Sequence, residues 1–297
     1  MKLKDAANLF LGQYDNPGTR RAYRDIVRPL VAYLGPDRPI DRLQPVDVVE
    51  YQQSLKAKNY ADATVRKHTK GVKTFFNFLV RHELIDLSPA RTIQARRLPT
   101  YISRDKAMTD QELERVLNYA RYFPRNLALI QFLADTACRA GGASKLRVTD
   151  LDLPNYRAVV VEKGSKTRPV AFGEACAQAL RIWLLQRPAT AGDYVFSSSD
   201  TPIKPDNISQ IVRRACLKVG VRSLGSHSLR HRKGHQLADA KVAPSIAATA
   251  LGHSDPTITL QHYYPADWES AEKELRKLAL PDDAVTSKVI PIRRARS

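Results

Sequence analysis

The pattern of apolar and polar positions over the first ninety-five residues predicts a series of helices. Apolar side chains recur at helical spacing from Thr19 onward, and a Gly-Pro pair at Gly35 stops the run. A second helix is predicted over residues 45–58, because proline suits the first turn of a helix. A third is predicted over residues 62–83. Together these patterns predict an all-helical N-terminal domain over residues 1–95.

The third predicted helix has an apolar side and a separate basic side. The apolar side carries four side chains suited to a helical core: Val65, Val72, Phe76 and Leu79. Arg66, Lys70 and Lys73 fall together roughly 120° away on a helix of 3.6 residues per turn. Two interpretations of this basic stripe stay open. It either binds phosphates of a nucleic acid or forms an ordinary solvated face.

The helical pattern is interrupted once, and a second domain follows. Residues 96–108 combine a proline, several cations and little apolar content, which predicts a basic linker. A capping box of Thr109 and Glu112 then opens a new helix. The second domain is predicted over residues 109–280, and residues 281–297 are predicted to be a disordered basic tail.

Strand patterning is confined to one part of this second domain. Residues 156–162 and 168–172 are β-prone and flank a turn at residues 163–165, which predicts a hairpin with a lysine-rich tip. Most other segments there have helical spacing, including one helix whose outer side carries Arg213. The predicted fold class is mainly α with a small antiparallel β-sheet. A helical N-terminal domain precedes a mixed α/β domain.

The charge balance favours a polyanionic partner. Lys and Arg number 48 against 30 acids, giving a net charge of +18 that is spread over both predicted domains. Such an extended basic surface is typical of nucleic-acid binding. No apolar run approaches a membrane span and no signal-peptide core is present, which predicts a cytoplasmic, nucleoid-associated protein. The cysteines are read as reduced core residues: Cys138, Cys176 and Cys216.

Residues 227–264 concentrate the side chains suited to phosphate chemistry. Five of the seven histidines fall there: His227, His231, His235, His253 and His262. Arg230 and a pair of tyrosines, Tyr263 and Tyr264, lie in the same stretch. A guanidinium and imidazoles donate hydrogen bonds to anionic oxygens, and a phenol can act as a nucleophile. The stretch therefore predicts a phosphate-handling site.

A zinc site is the alternative for the histidines at i and i+4. His227 and His231 have the spacing of a metal pair on a helix. However, the residue after the first histidine is Ser228 rather than glutamate, and Arg230 would repel a cation. No further ligands are evident, so no metal is predicted.

These motifs resemble, in order, those of the tyrosine recombinase (phage integrase) family over residues 60–280. TACRAGGASKLRVTDLD resembles the first arginine box, KGSKTRPVAF the hairpin-lysine motif, HSLRH the His-x-x-Arg box and LGHSDPT the second histidine box. Tyr263 follows ten residues after His253, the histidine of that second box. The resemblance implies six catalytic residues: Arg139, Lys166, His227, Arg230, His253 and Tyr263.

Two positions depart from the family pattern. Many members carry an acid three residues after the first arginine, where this chain has Gly142. In addition, Tyr264 adjoins Tyr263, so two tyrosines compete for the role of nucleophile. We prefer Tyr263, because TLQHY aligns with the longer spacing found in the family.

The resemblance implies a site-specific recombinase that cuts and rejoins DNA through a 3′-phosphotyrosyl intermediate. Residues 1–95 would be its core-binding, SAM-like domain and residues 109–280 its catalytic domain. No metal or nucleotide cofactor is implied. The partners would be double-stranded DNA with paired half-sites and further copies of the chain in a homo-tetramer, or a related recombinase. Including the tip lysine, the predicted DNA-binding residues are Arg66, Lys70, Lys73, Lys163 and Arg213.

Each catalytic residue has an expected role. Arg139 and Arg230 would bind the non-bridging oxygens, with hydrogen bonds from the two histidines. Lys166 would protonate the leaving 5′-oxygen, and His227 would assist proton transfer from the tyrosine. Two alternatives stay open: a catalytically impaired DNA-binding regulator, and DNA relaxation of the type IB topoisomerase kind.

Overall fold

The chain forms two compact units, Met1–Pro99 and Thr100–Ser297. Helices dominate both, and one three-stranded antiparallel sheet lies in the second, so the predicted fold class is confirmed. Within the described ranges, no helix is both long and apolar enough to cross a bilayer. The computed structural model describes the following residues: 1–96, 101–162, 164, 166–264, 272 and 275–277.

Four α-helices build the described part of the first unit: α1 (Leu3–Gly12), α2 (Pro17–Leu34), α3 (Pro45–Ala57) and α4 (Asp62–Arg81). The sequence pattern predicts the last three, whereas α1 was not identified. Its Phe10 is fully buried and meets the rings of Phe75 and Phe78 edge-on, with centroids 5.3 Å apart. An aromatic centre thus joins the N-terminal helix to α4.

Helix α4 buries the apolar face that its sequence predicts, since all four predicted core residues of that face are buried. Gly71 allows α2 to approach closely. A Cβ at this position would lie 2.6 Å from Cδ1 of Ile26. Glycine is required here by packing between helices rather than by backbone conformation.

The second unit contains, within residues 101–264, the helices α5 (Asp110–Ala120), α6 (Pro124–Thr136), α7 (Ala140–Lys145), α8 (Glu174–Gln186), α9 (Pro205–Lys218), α10 (Ser226–Asp239), α11 (Pro244–Leu251) and α12 (Pro256–Tyr263). Its strands are β1 (Leu151–Asp152), β2 (Arg157–Val161) and β3 (Thr167–Ala171), in the order β1-β2-β3. The predicted hairpin is confirmed. Its first strand is one residue shorter at each end than the predicted range 156–162. Tyr156 has a φ of +55° and cannot continue the strand. The two-residue β1 is too short to show a sequence pattern.

Residues 101–108 correct the predicted linker, because they pack on the second unit. The Ile102 N–H donates to the carbonyl of His262 at 2.9 Å, and Arg104 forms an ion pair with Asp239 at 2.5 Å. Met108 is 1% exposed within the core of this unit. Buried Ala107 and Met108, together with these polar contacts, dock a segment whose average composition is polar. Residues 97–100 and the predicted tail at 281–297 lie outside the described residues.

Candidate active site

Separate elements of the second unit carry the six predicted catalytic residues. Arg139 precedes α7, Lys166 lies in the hairpin, and His253 follows α11. Helix α10 carries His227 and Arg230, and α12 ends with Tyr263. Electrostatic interactions link Arg230 to four of the other five, and Lys166 is the exception. Lys166 is exposed, and among the described residues no side-chain contact joins it to the other five.

Arg230 is a buried guanidinium, 3% exposed, with an unused donor. Its Nη1 donates to the carbonyl of Ala137 at 2.7 Å, whereas its Nη2 is buried without a hydrogen-bond partner. Ala137 has a left-handed φ of +52°, a conformation unfavourable for alanine, and its carbonyl is the one that Arg230 binds. Burial, followed by the charge of Arg139, lowers the pKa of Arg230 to about 10.

Arg139 is held by Glu162, a residue that the sequence analysis did not identify. Its Nη1 donates to Oε2 of Glu162 at 2.5 Å and to the carbonyl of Gly252 at 3.3 Å. The other oxygen of Glu162 accepts from Arg168 Nη2 at 3.3 Å. Burial alone would raise the pKa of Glu162, but the two arginines lower it overall, so the carboxylate is ionised at neutral pH.

His253 is positioned by the left-handed turn at Gly252, whose φ is +67°. Nδ1 of His253 lies 2.6 Å from Oγ1 of Thr259, a fully buried hydroxyl. Burial, then the charges of Arg230 and Arg139, lowers the pKa of His253 to about 4. The imidazole is therefore neutral at pH 7. If Thr259 donates to Nδ1, Nε2 carries the proton and can donate to an anion.

The two adjacent tyrosines differ in their surroundings. Tyr263 is 3% exposed, and its hydroxyl lies 3.0 Å from Nδ1 of His231. Its ring rests against Gly234 of α10, where a Cβ would lie 2.5 Å from the ring atoms Cε1 and Cζ. Burial raises the pKa of Tyr263, while Arg230 and Arg139 oppose the rise. Tyr264 instead donates its hydroxyl to the carbonyl of Val242 at 2.7 Å.

His231 contacts the Tyr263 hydroxyl in the position that the sequence analysis expected of His227. His227 is exposed, and its ring centroid lies 5.6 Å from that of His231. Burial, followed by the charges of His227 and Arg230, lowers the pKa of His231 to about 4, so the imidazole is neutral at pH 7. The i, i+4 spacing from His227 is a sequence signal that could have identified His231. For Glu162, the signal is a glutamate ending a run of valines.

The predicted DNA-binding residues occupy different surroundings. Lys70 and Arg213 are exposed, and Arg213 lines a concavity of roughly 350 Å³ that also includes His227. Lys73 is half-buried and donates to the carbonyl of Ile93 at 3.1 Å, and Arg66 is half-buried with its Nε unpaired among the described residues. Lys163 lies outside the described residues. In the part of the chain that the structure describes, no three His, Cys, Asp or Glu side chains converge as metal ligands.

Comparison with known proteins gives two family matches. The Phage integrase family matches residues 106–269, and the family described as Phage integrase, N-terminal SAM-like domain, matches residues 12–86. Tyrosine recombinase XerC of Mycobacterium sp. (strain JLS) is 30% identical over 254 residues, which cover 80% of this chain and 84% of the relative. Tyrosine recombinase XerD of Oceanobacillus iheyensis is 25% identical over 231 residues, covering 74% and 77% respectively.

Solved structures share the fold at low sequence identity. The Tn1549 transposon integrase in complex with a circular intermediate DNA matches with a TM-score of 0.78 and 19% identity, covering 94% of this chain and 100% of that chain. The XerH site-specific recombinase bound to difH substrate matches with a TM-score of 0.69 and 20% identity, covering 88% and 80%. At these identities the likeness extends to the fold alone.

Proposed function

The chain belongs to the phage integrase family of tyrosine recombinases and is a site-specific DNA recombinase; from this premise we propose that Arg139 and Arg230 hold one DNA phosphate while Tyr263 attacks it. The observation that carries the proposal is the unpaired, buried Nη2 of Arg230. A buried charged donor without a partner is unfavourable, and an anionic oxygen would satisfy it. Among the described residues no carboxylate forms an ion pair with Arg230, so its positive charge is available to a phosphate.

The proposed phosphate grip uses two arginines and two histidines. As Tyr263 attacks, negative charge grows on the non-bridging oxygens of the phosphate. Arg230 donates Nη2 to one oxygen, and Arg139 donates the N–H groups that Glu162 leaves free. His253 donates from Nε2, because Thr259 occupies its Nδ1. His227, exposed at the start of α10, adds a hydrogen bond from the solvent side.

The proposed cleavage step conserves the phosphodiester. The Tyr263 oxygen bonds to phosphorus, the bond to the 5′-oxygen breaks, and the 3′-phosphate stays attached to the enzyme. Tyr263 gives its proton to Nδ1 of His231, 3.0 Å away, a role that replaces the one first assigned to His227. Lys166 protonates the leaving 5′-oxygen. A 5′-hydroxyl from another strand reverses the steps and rejoins the DNA.

The same proposal includes the DNA surface and the assembly. The exposed Lys70 and Arg213 contact DNA phosphates, and Lys163 would do so from the hairpin tip. Arg66 and Lys73 are kept as phosphate contacts that require their side chains to turn outward. The printed descriptions of several structural relatives include bound DNA. Paired half-sites, a homo-tetramer and action on the nucleoid in the cytoplasm follow from the family resemblance.

The experiment is covalent trapping on nicked suicide DNA in the presence of a chelator. The DNA site is first selected from a randomised duplex library by its binding to Tyr263→Phe protein. We expect wild-type protein and Tyr264→Phe to form an SDS-resistant adduct, and Tyr263→Phe to form none, a loss of at least about 10³-fold. Trapping that survives in Tyr263→Phe and is lost in Tyr264→Phe would contradict the proposal.

The same assay separates the alternatives. DNA binding without any adduct from the wild-type protein would support the regulator. Relaxation of supercoiled plasmid irrespective of sequence would support topoisomerase activity. An adduct that disappears with the chelator would implicate a metal.

A further inference from the structure

We propose that Glu162 is a positioning residue that fixes Arg139 for phosphate binding, and that it supplies, from the residue after strand β2, the carboxylate that position 142 lacks. This inference rests on the proposed function, because it concerns how the phosphate grip is held. Glu162 belongs to the hairpin rather than to the arginine box. Sequence spacing from Arg139 therefore gives no indication of the pairing.

Both oxygens of Glu162 are occupied by guanidinium groups. Oε2 accepts from Arg139 at 2.5 Å and Oε1 accepts from Arg168 at 3.3 Å, with the glutamate 8% exposed. The contacts to Arg139 all use Nη1, which also donates to the carbonyl of Gly252. The two acceptors on Nη1 restrain the orientation of the Arg139 guanidinium, whose other N–H groups stay available for another ligand. The Arg139 side chain is 34% exposed, so that ligand can reach it.

Position 142 cannot carry this carboxylate without rearrangement. A Cβ on Gly142 would lie 2.6 Å from Sγ of Cys138, a buried side chain with little freedom to move. The same Cβ would be 3.6 Å from Cβ of Val160 and 3.7 Å from the carbonyl of Val161. Helix α7 therefore packs on β2 through its glycine. Strand β2, which packs against Gly142, is followed directly by Glu162.

Glu162 also connects Arg139 to the segment before His253. Arg168, its second partner, donates Nη1 to the carbonyl of Ala250 at 2.7 Å. The same side chain packs so closely on Gly252 that a Cβ there would lie 2.5 Å from Arg168 Nε. One carboxylate thus orders one phosphate-binding arginine directly and the turn that presents His253 through a second arginine. Arg139 and Arg168 both pair with this single acid, and Arg230 has no carboxylate partner among the described residues, so a net positive charge is left for an anion.

Two other roles for Glu162 make different predictions. If the carboxylate competes with the phosphate for Arg139, its removal should speed cleavage. If it only stabilises the hairpin, its removal should reduce the folded fraction and leave the rate per folded molecule unchanged. The positioning role predicts a slower chemical step with DNA affinity retained, because the cations remain but their orientation is lost.

The test is single-turnover adduct formation by the full-length chain on the nicked suicide DNA, at saturating protein. We expect Glu162→Gln to lower the rate constant 10- to 100-fold. The dissociation constant for DNA should stay the same or fall, since one negative charge is removed. Glu162→Asp keeps the charge and should recover part of the rate. Glu112→Gln is the matched control, because Glu112 also pairs with an arginine, Arg222, in the same unit, and it should keep the wild-type rate constant.

The inference is overturned if Glu162→Gln reacts at or above the wild-type rate constant, or if only the reacting fraction falls. It is also overturned if Glu162→Asp is no faster than Glu162→Gln. Failure of the proposed function would be recognised separately, because the wild-type protein itself would then form no adduct. A wild-type adduct beside an unaffected Glu162→Gln would reject the positioning role alone.

Discussion

Helices α4 and α10 lie in different units and differ in the polarity of the side chains that they bury. The buried positions of α4 are apolar apart from Gly71 and Thr69, whose hydroxyl donates to its own helix at Val65. Helix α10 instead buries Arg230 and His235. Packing alone explains α4, because each buried group is apolar or has a partner. In α10 the buried Nη2 of Arg230 has no partner among the described residues, which is unfavourable for stability and is expected at a functional site.

The two helices also use glycine differently. Gly71 of α4 admits the side chain of Ile26, whereas Gly234 of α10 admits the ring of Tyr263. The first contact joins two helices of a core. The second seats the proposed nucleophile against the helix that carries Arg230 and His231. A substitution at Gly71 should therefore lower the stability of the fold, whereas a substitution at Gly234 should slow the chemical step.

The largest effect is expected for Arg230→Met. Removing the central phosphate donor should lower the single-turnover rate constant of adduct formation by at least about 10²- to 10³-fold. The same change removes a buried charge that has no carboxylate partner, together with the hydrogen bond to the Ala137 carbonyl, so we expect little change in the melting temperature. The measurements are suicide-DNA trapping and thermal unfolding. Thr69→Val on α4 is the control and should leave the rate constant unchanged. Retained cleavage, or a large fall in melting temperature, would contradict the assignment of Arg230.

The next largest effect on the rate constant is expected for Gly234→Ala, with Gly71→Ala as its counterpart in α4. Both changes add one methyl group to a helix, where alanine is intrinsically favoured over glycine by about 1 kcal/mol. At Gly234 the methyl group collides with the Tyr263 ring, so we expect the rate constant to fall roughly 10- to 100-fold. At Gly71 it collides with Ile26, so we expect a loss of about 1–3 kcal/mol in unfolding free energy and an unchanged rate constant for the folded protein. A normal rate for Gly234→Ala would break the distinction between the two helices.

The smallest effect is expected for exposed cations. Lys70→Ala and Arg213→Ala should each weaken DNA binding a few-fold, because each removes one phosphate contact. The slope of log K against log[salt] should change by about 0.9 per contact, and the rate constant at saturating DNA should not change. Salt titration of binding gives the slope. An unchanged slope in either variant would remove that residue from the DNA surface.

The sequence predicts the elements that have strong periodicity. It also predicts the candidate site residues that lie in motifs of characteristic spacing. The apolar face of α4 and the hairpin are predictable because each pattern repeats over a whole element. Strand β1 has only two residues and shows no pattern, whereas α1 buries Leu3, Ala6, Ala7 and Phe10 at helical spacing, a signal that the sequence analysis missed. Residues 101–108 dock through few apolar contacts and therefore read as linker.

The interactions within the site depend on tertiary structure, and periodicity does not encode them. His231 reaches Tyr263 only because α12 brings the tyrosine ring onto Gly234. Glu162 meets Arg139 because β2 packs beside α7. The left-handed turn at Ala137 is likewise hidden, since alanine gives no sign of a positive φ. The residue types in the sequence indicate the chemistry of the site. The hydrogen-bond partners of each residue become evident only from the folded structure.

The most direct test of the central claim is to identify the tyrosine that becomes linked to DNA. The trapped adduct is digested with nuclease and trypsin, and both tyrosines fall in one peptide, residues 242–273. Fragmentation mass spectrometry then assigns the remaining nucleotide to one residue. We predict that the nucleotide is attached to Tyr263, whose hydroxyl lies 3.0 Å from Nδ1 of His231. Attachment to Tyr264, which is hydrogen-bonded to Val242, or to neither residue would contradict the account.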